Sequence, residues 1–163
     1  MSARDFCILY VDDDENDIRL VKFAAEPAGV SHCLQTATSG SQAIDYFQGR
    51  GHYADRSKFP LPNVLLLDLR MPRMNGLDVL RWLRTQPDLT GTVVIVFTAS
   101  AHPDDVMRAC ELGANAFVQK PSGQAQLTRF LQLLKAFWAD FHQYPQPKAS
   151  PLLTEVSKPD LSP

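Results

Sequence analysis

Five short apolar runs recur along the chain, and after each comes a stretch whose apolar residues repeat at helical spacing. The runs are FCILYV (residues 6–11), SHCLQTA (31–37), VLLLD (64–68), TVVIVFTA (92–99) and NAFVQK (115–120). An aliphatic run as unbroken as VLLL, bounded by turn residues, suits a parallel strand covered on both faces rather than a half-exposed antiparallel one. The stretches between them fit helices. ENDIRLVKFAAEPAG carries Ile18, Val21 and Ala25 on one side and should stop near Pro27 and Gly29. SGSQAIDYFQG has a serine start and a glycine stop, NGLDVLRWLRTQ has a stripe through Leu77, Leu80 and Leu83, and PDDVMRACELGA has Pro103 near its first turn. Five strand–helix units in succession predict an α/β fold, doubly wound around a parallel five-stranded sheet.

Composition permits this and narrows the setting. At 163 residues with 45% hydrophobic and 21% charged content, the chain fits one soluble domain with a real core. A formal net charge of −2 gives no global attraction to nucleic acid or to an anionic membrane. The N-terminal apolar run is a few residues long and meets three acids, which fits neither a signal peptide nor a membrane span. Cys7, Cys33 and Cys110 are scattered and form no CxxC pair; they read as small core residues in a reducing cytoplasm. Two regions depart from the regular pattern. Residues 49–62 form a polar connection longer than is usual between such units. From residue 143 the chain holds Pro145, Pro147, Pro151, Pro159 and Pro163 among few apolar residues and should not build a core of its own. The expected organisation is a domain over 1–142 and a proline-rich tail over 143–163, with no separate output domain.

Chemistry gathers where such a fold binds ligands, at the carboxyl ends of its strands near the point where strand order reverses. The first strand ends in Asp12, Asp13 and Asp14, the third in Asp68, the fourth in Thr98 and the fifth in Lys120, followed by Pro121. With strand order 2-1-3-4-5 the first and third strands are neighbours, so Asp12, Asp13 and Asp68 converge. Crowded carboxylates raise one another's pKa unless a cation neutralises them. Hard oxygen ligands with room for water suit Mg²⁺. Lys120 and Thr98 add a positive charge and a hydroxyl for a phosphoryl oxygen, and a carboxylate so placed can itself be the nucleophile, yielding an aspartyl phosphate. Taken singly the residues have plainer readings: Asp14 as a helix cap, Thr98 as a strand-end residue, Lys120 as a surface lysine and Phe117 as core. Their joint occurrence, in order and at strand ends, favours the chemical reading.

Together ILYVDDDEND, VLLLDLRMPRMNGLDVL, VIVFTAS and GANAFVQKP resemble the receiver domain of two-component response regulators, over roughly residues 5–144. The resemblance implies a flavodoxin-like receiver with Asp68 as phosphoacceptor. It implies Asp13 as a direct Mg²⁺ ligand, Asp12 acting mainly through water, and the Arg70 backbone carbonyl as a further ligand beside Asp68. Thr98 and Lys120 would contact the phosphoryl group, Thr98 and Phe117 would switch on activation, and the Lys120–Pro121 bond would be cis. The face built by the fourth helix, fifth strand and fifth helix would respond. The Arg70 side chain is left open between approach to the phosphate and plain exposure.

Expected partners are a sensor histidine kinase and a histidine phosphotransfer protein, without direct nucleic-acid contact or membrane insertion. DENDIRLVKFA and the long connection resemble the single-domain regulators paired with phytochrome-type and other hybrid kinases. Alternatives are a degenerate receiver acting as a phosphorylation-independent scaffold and, from the enzyme class, an aspartyl-nucleophile phosphatase. Phosphatases of that kind carry the nucleophile after the first strand, whereas the acceptor here follows the third. No GxGxxG or GxxxxGK[ST] is present for a nucleotide. The last helix, expected over residues 124–142, would run about 28 Å at 1.5 Å per residue, longer than a strand of about 17–20 Å. Phe137, Trp138 and Phe141 at its end form a candidate homodimer face.

Overall fold

The computed structural model describes residues 6–141. Its strands are β1 (Ile8–Val11), β2 (Leu34–Ala37), β3 (Val64–Leu67), β4 (Val93–Thr98) and β5 (Ala116–Gln119). They alternate with α1 (Glu15–Ala28), α2 (Gly40–Gln48), α3 (Gly76–Arg84), α4 (Pro103–Glu111) and α5 (Gln124–Lys135). The sheet is parallel throughout with order β2-β1-β3-β4-β5, as the sequence predicts. The boundary between residues 142 and 143 and the proline-rich tail lie outside the described residues.

The aliphatic runs are explained by burial on both sides. On one face Ile8, Tyr10, Leu66, Ile95 and Phe97 pack against Ile18, Val21 and Ala25 of α1 and Leu127, Leu131 and Leu134 of α5. On the other, Leu9, Val11, Leu65, Leu67 and Val94 meet Ala43, Tyr46 and Phe47 of α2 and Val79, Leu80 and Leu83 of α3. Successive strand residues point to opposite faces, so a strand with a helix layer on each side needs an apolar residue at every position. Helix α4 is the exception. Its one buried residue is Ala109, in a small cluster with Leu69 and Val96.

Local capping fixes where the helices begin. Asp14 accepts a hydrogen bond from the Asn16 N–H at the start of α1, Ser39 does the same from Gln42 for α2, and Asn75 and Asp78 form a reciprocal capping box on α3. Pro27 lies inside the last turn of α1 rather than beyond it. The helix ends at Gly29, whose left-handed backbone (φ 72°) allows the Val30 N–H to reach the Ala25 carbonyl.

Two features depart from the sequence reading, and the polar connection over 49–62 proves tightly packed: the Arg56 guanidinium donates to the carbonyls of Tyr46, Phe47 and Phe59 at 2.8, 2.7 and 3.1 Å. Tyr53 and Phe59 stand 5.0 and 6.1 Å from the Tyr46 ring, and the Tyr46 hydroxyl donates to the Pro60 carbonyl. Cys7 and Cys33 are buried as expected, burial pushing the Cys7 thiol up to about 11, but Cys110 is exposed on α4. Finally, the last helix does not run on as a regular α-helix; from Ala136 to Phe141 it widens into a π-helical turn. That turn shifts the apolar stripe: Trp138 packs half-buried against the α1–α5 core, while Phe137 and Phe141 are 57% and 76% exposed.

Gly76, which opens α3, controls how closely that helix approaches the end of β3. A Cβ at this position would lie 2.2 Å from the Asp68 carbonyl oxygen and 2.9 Å from the Leu69 Cα, both backbone atoms that cannot swing aside. Gly76→Ala is therefore expected to destabilise the chain by about 1–3 kcal/mol, the usual range for overpacking. The measurement is the urea midpoint at constant m-value; an unchanged midpoint would show that the close approach is not needed.

Candidate functional site

The parallel ladder sets the site. The Asp12 N–H donates to the Ala37 carbonyl, and the Asp68 N–H donates to the Val11 carbonyl, so both acids continue their strands by one residue and emerge side by side. Carboxylate oxygens of Asp12, Asp13 and Asp68 all lie within 4.8 Å of one another. Asp12 and Asp68 are buried and Asp13 is exposed, at the edge of an open cleft of about 300 Å³ that also reaches Arg70, Thr98 and Lys120.

Asp12 carries three protein donors. One of its oxygens accepts the Asp14 N–H at 2.9 Å; the other accepts the Tyr10 hydroxyl and the Lys120 ammonium, the latter at 2.5 Å. Lys120 is fixed at both ends. Its N–H donates to the Thr98 carbonyl at 2.8 Å, and its Nζ, 13% exposed, bonds Asp12, lies 2.7 Å from Asp17 Oδ2 and 3.9 Å from Asp68 Oδ1. Burial works against its charged form, but the hydrogen bonds to Asp12 and Asp17 and the charge of Asp68 outweigh it and hold its pKa above the ordinary lysine value.

Asp68 is shifted the other way for an acid. Burial is the main cause, reinforced by the charge of Asp12, and together they hold its carboxyl above the ordinary 3.8. Lys120, a hydrogen bond from the Thr98 side chain and the Leu69 N–H pull in the opposite direction without cancelling it. Thr98 is buried within the site. Two buried carboxylates and a third at the rim, with open space before them, fit a hard divalent cation such as Mg²⁺.

Residues 8–132 match the family model of the response regulator receiver domain. The chain belongs to the response regulator receiver family. Among curated relatives it is 33% identical over 133 residues to the response regulator Rcp1 of Synechocystis sp., covering 82% of this chain and 88% of the relative. The solved Mn²⁺-bound form of Rcp1 superposes with a TM-score of 0.73 at 32% identity, covering 86% of this chain and 99% of that one. A response regulator in red light signaling of R. palustris gives a TM-score of 0.77 at 31% identity, covering 87% and 100%. The phosphorylated cyanobacterial phytochrome response regulator RcpA gives 0.75 at 27% identity, covering 86% and 99%. The fold is thus the flavodoxin-like receiver, and its relatives include single-domain regulators of two-component systems, some of them associated with phytochromes.

The receiver site brings together the residues singled out in the sequence, with one correction and two additions. No cis peptide bond occurs among the described residues, so the Lys120–Pro121 bond is trans. Trans is the intrinsically favoured isomer before proline by about 0.5–1 kcal/mol, and in this form the Lys120 side chain already reaches Asp12 and Asp17. The Arg70 side chain lies at the rim of the cleft, largely exposed, and pairs at 3.3 Å with Asp105 of α4. Phe117 is half-buried against the Leu69–Val96–Ala109 cluster beneath α4.

The additions are Asp17 and Tyr10. Asp17 reads in sequence as one more acid in the first turn of a helix, where acids are common for reasons of the helix dipole. Tyr10 had a legible signal: it is the one polar side chain in an otherwise apolar strand, two residues before Asp12 and hence on the same face.

The raised Asp68 pKa has a consequence for stability. Unfolded chains ionise this carboxyl more readily, so folding takes up a proton between 3.8 and the raised value. The cost of the buried charge grows as pH rises through that window and is complete above it. Asp68→Asn should therefore raise the melting temperature at neutral pH, with the gain shrinking as pH falls toward 3.8. Melting curves of both chains across that range test it; a gain independent of pH would mean that packing, not charge, is responsible.

Proposed function

We propose that the chain is a single-domain response regulator that accepts a phosphoryl group from a histidine kinase on Asp68 and thereby switches a protein-binding face. The observation that carries this reading is the convergence of Lys120 and Thr98 on a carboxylate whose charge is not fully neutralised by either. An oxygen of Asp68 attacks phosphorus, the P–N bond to the donor's imidazole breaks, and the ring leaves with the electron pair. Lys120 and Thr98 supply the N–H and O–H that meet the phosphoryl oxygens. Asp13, Asp68 and the Arg70 carbonyl would hold Mg²⁺, with Asp12, whose oxygens already carry protein donors, acting through water. When bound, the cation neutralises charge on the acids and on the transferring group. The Mn²⁺-bound state of Rcp1 and the phosphorylated state of RcpA support this chemistry by similarity.

The reaction is confined to Asp68, with self-phosphorylation and self-dephosphorylation but no turnover of a diffusible substrate. Thr98 and Phe117 are the switch residues. Thr98 is buried beside the acid in the cleft, and Phe117 packs against the small cluster that anchors α4. A histidine phosphotransfer protein could exchange phosphoryl groups with the same site. No helix among the described residues is long and apolar enough to cross a membrane, and the setting proposed for the regulator is the cytoplasm.

Intact mass after incubation with Mg²⁺ and acetyl phosphate tests the reading. A single phosphoryl adduct, labile to hydroxylamine and lost in Asp68→Asn, is expected. No adduct with any donor would favour the phosphorylation-independent scaffold. For the homodimer, the exposed Phe137 and Phe141 in the turn after α5, with the half-buried Trp138 between them, form the contact with a second copy. Phe141→Glu is expected to shift the sedimentation profile toward monomer, and an unchanged profile would remove this face from consideration.

A further inference from the structure

The Lys120 ammonium has three protons to give. Asp12 takes one at 2.5 Å and Asp17, at the first turn of α1, takes a second at 2.7 Å, which leaves the third on the side of Asp68, 3.9 Å away. That last distance is too long for a hydrogen bond to the bare carboxylate, and a group attached to Asp68 would extend toward the ammonium. We propose that Asp17 is a positioning residue for the reaction at Asp68: together with Asp12 it fixes the Lys120 ammonium so that its remaining proton is aimed at a phosphoryl oxygen on Asp68. The proposal rests on the phosphoacceptor reading above.

Two anchors are needed because a lysine head sits on a flexible four-carbon stem. Held by Asp12 alone, the ammonium could pivot about a single contact. Asp12 itself cannot follow it, since the Asp14 N–H and the Tyr10 hydroxyl hold its two oxygens. Asp17 supplies the second fixed point from another element, 103 residues away in sequence. Helix capping does not account for Asp17, because Asp14 already caps α1 through the Asn16 N–H. A rival reading is that Asp17 is one more negative charge repelling the incoming donor, and it makes the opposite prediction.

The experiment follows phosphorylation of the full chain by acetyl phosphate with Mg²⁺, using intact mass. In this step an Asp68 oxygen forms the new P–O bond, the P–O bond to acetate breaks, and acetate leaves with the electron pair. Asp17→Ala is expected to slow the initial rate about tenfold, the scale of one hydrogen bond to a charged group, and Asp17→Asn, which keeps an acceptor oxygen, to fall between. In a Lys120→Met background Asp17→Ala should slow nothing further. A nitrogen-detected NMR signal of the Lys120 ammonium, protected in the wild type, should be lost in Asp17→Ala while the melting curve still reports a folded chain; it decides the matter where the Lys120→Met rate is too small to measure. A rate equal to or faster than wild type, equal slowing without Lys120, or an undisturbed ammonium signal overturns the assignment. A wild-type chain that takes up no phosphoryl group sinks the phosphoacceptor reading and this one with it; normal wild-type uptake with an indifferent Asp17 sinks this one alone.

Discussion

The Lys120 ammonium is the interaction on which the carboxyl end of the sheet depends. Asp12, Asp17 and Asp68 reach it from β1, α1 and β3, and its own backbone N–H is tied to the Thr98 carbonyl at the end of β4. One largely buried cation thus ties together side chains from the ends of β1 and β3 and from α1, and its backbone is tied to the end of β4. Without it, Asp12 and Asp68 would be two desolvated acids repelling each other, a state that costs several kcal/mol per uncompensated charge. The compensation is incomplete, since Asp68 still titrates above its ordinary value. A site left short of positive charge in this way is suited to a divalent cation.

Packing supplies the rigidity that this arrangement needs. The register of β1 with β3 runs Val11 to Leu67, which sets Asp12 opposite Asp68 without any side-chain choice being involved. Covering helices then close both faces. The Gly76 backbone seats α3 against the Asp68 carbonyl, in space that any side chain would fill. The acids are consequently held by backbone, and chemistry at Asp68 does not have to organise its own surroundings.

Much of this was legible in the sequence because it depends on period and order. The aliphatic runs and helical stripes led to the parallel five-stranded sheet and the resemblance to receivers to its order, and the acids, Thr98 and Lys120 stood at strand ends where that order brings them together. What escaped depends on side-chain reach across elements. Asp17 meets Lys120 only once α1 and the end of β5 are packed side by side, and an acid in a first helical turn has an ordinary explanation. The connection over 49–62 looked polar because Arg56, Tyr53 and Phe59 show their value only when folded back on Tyr46 and its helix. The trans bond before Pro121 and the π-helical turn after Lys135 differ from neighbouring alternatives by small energies, which neither period nor composition encodes.

The two sides of the site are anchored unequally, and this gives the fold a direction in which to yield. Toward α5, Tyr10 meets Phe97 edge-on at 6.0 Å and Phe97 stacks on Phe130 at 5.0 Å, all within the larger core. Displacing that column would disturb a fully packed layer. Toward α4, the helix contributes Ala109 to a three-residue cluster and is otherwise tied to the acceptor loop by the Arg70–Asp105 pair, whose arginine is 66% exposed. A pair so exposed is worth about 0–1 kcal/mol. Phe117 lies against the same thin cluster. Low local stability is the physical requirement for an element that moves, and among the five helices α4 meets it best.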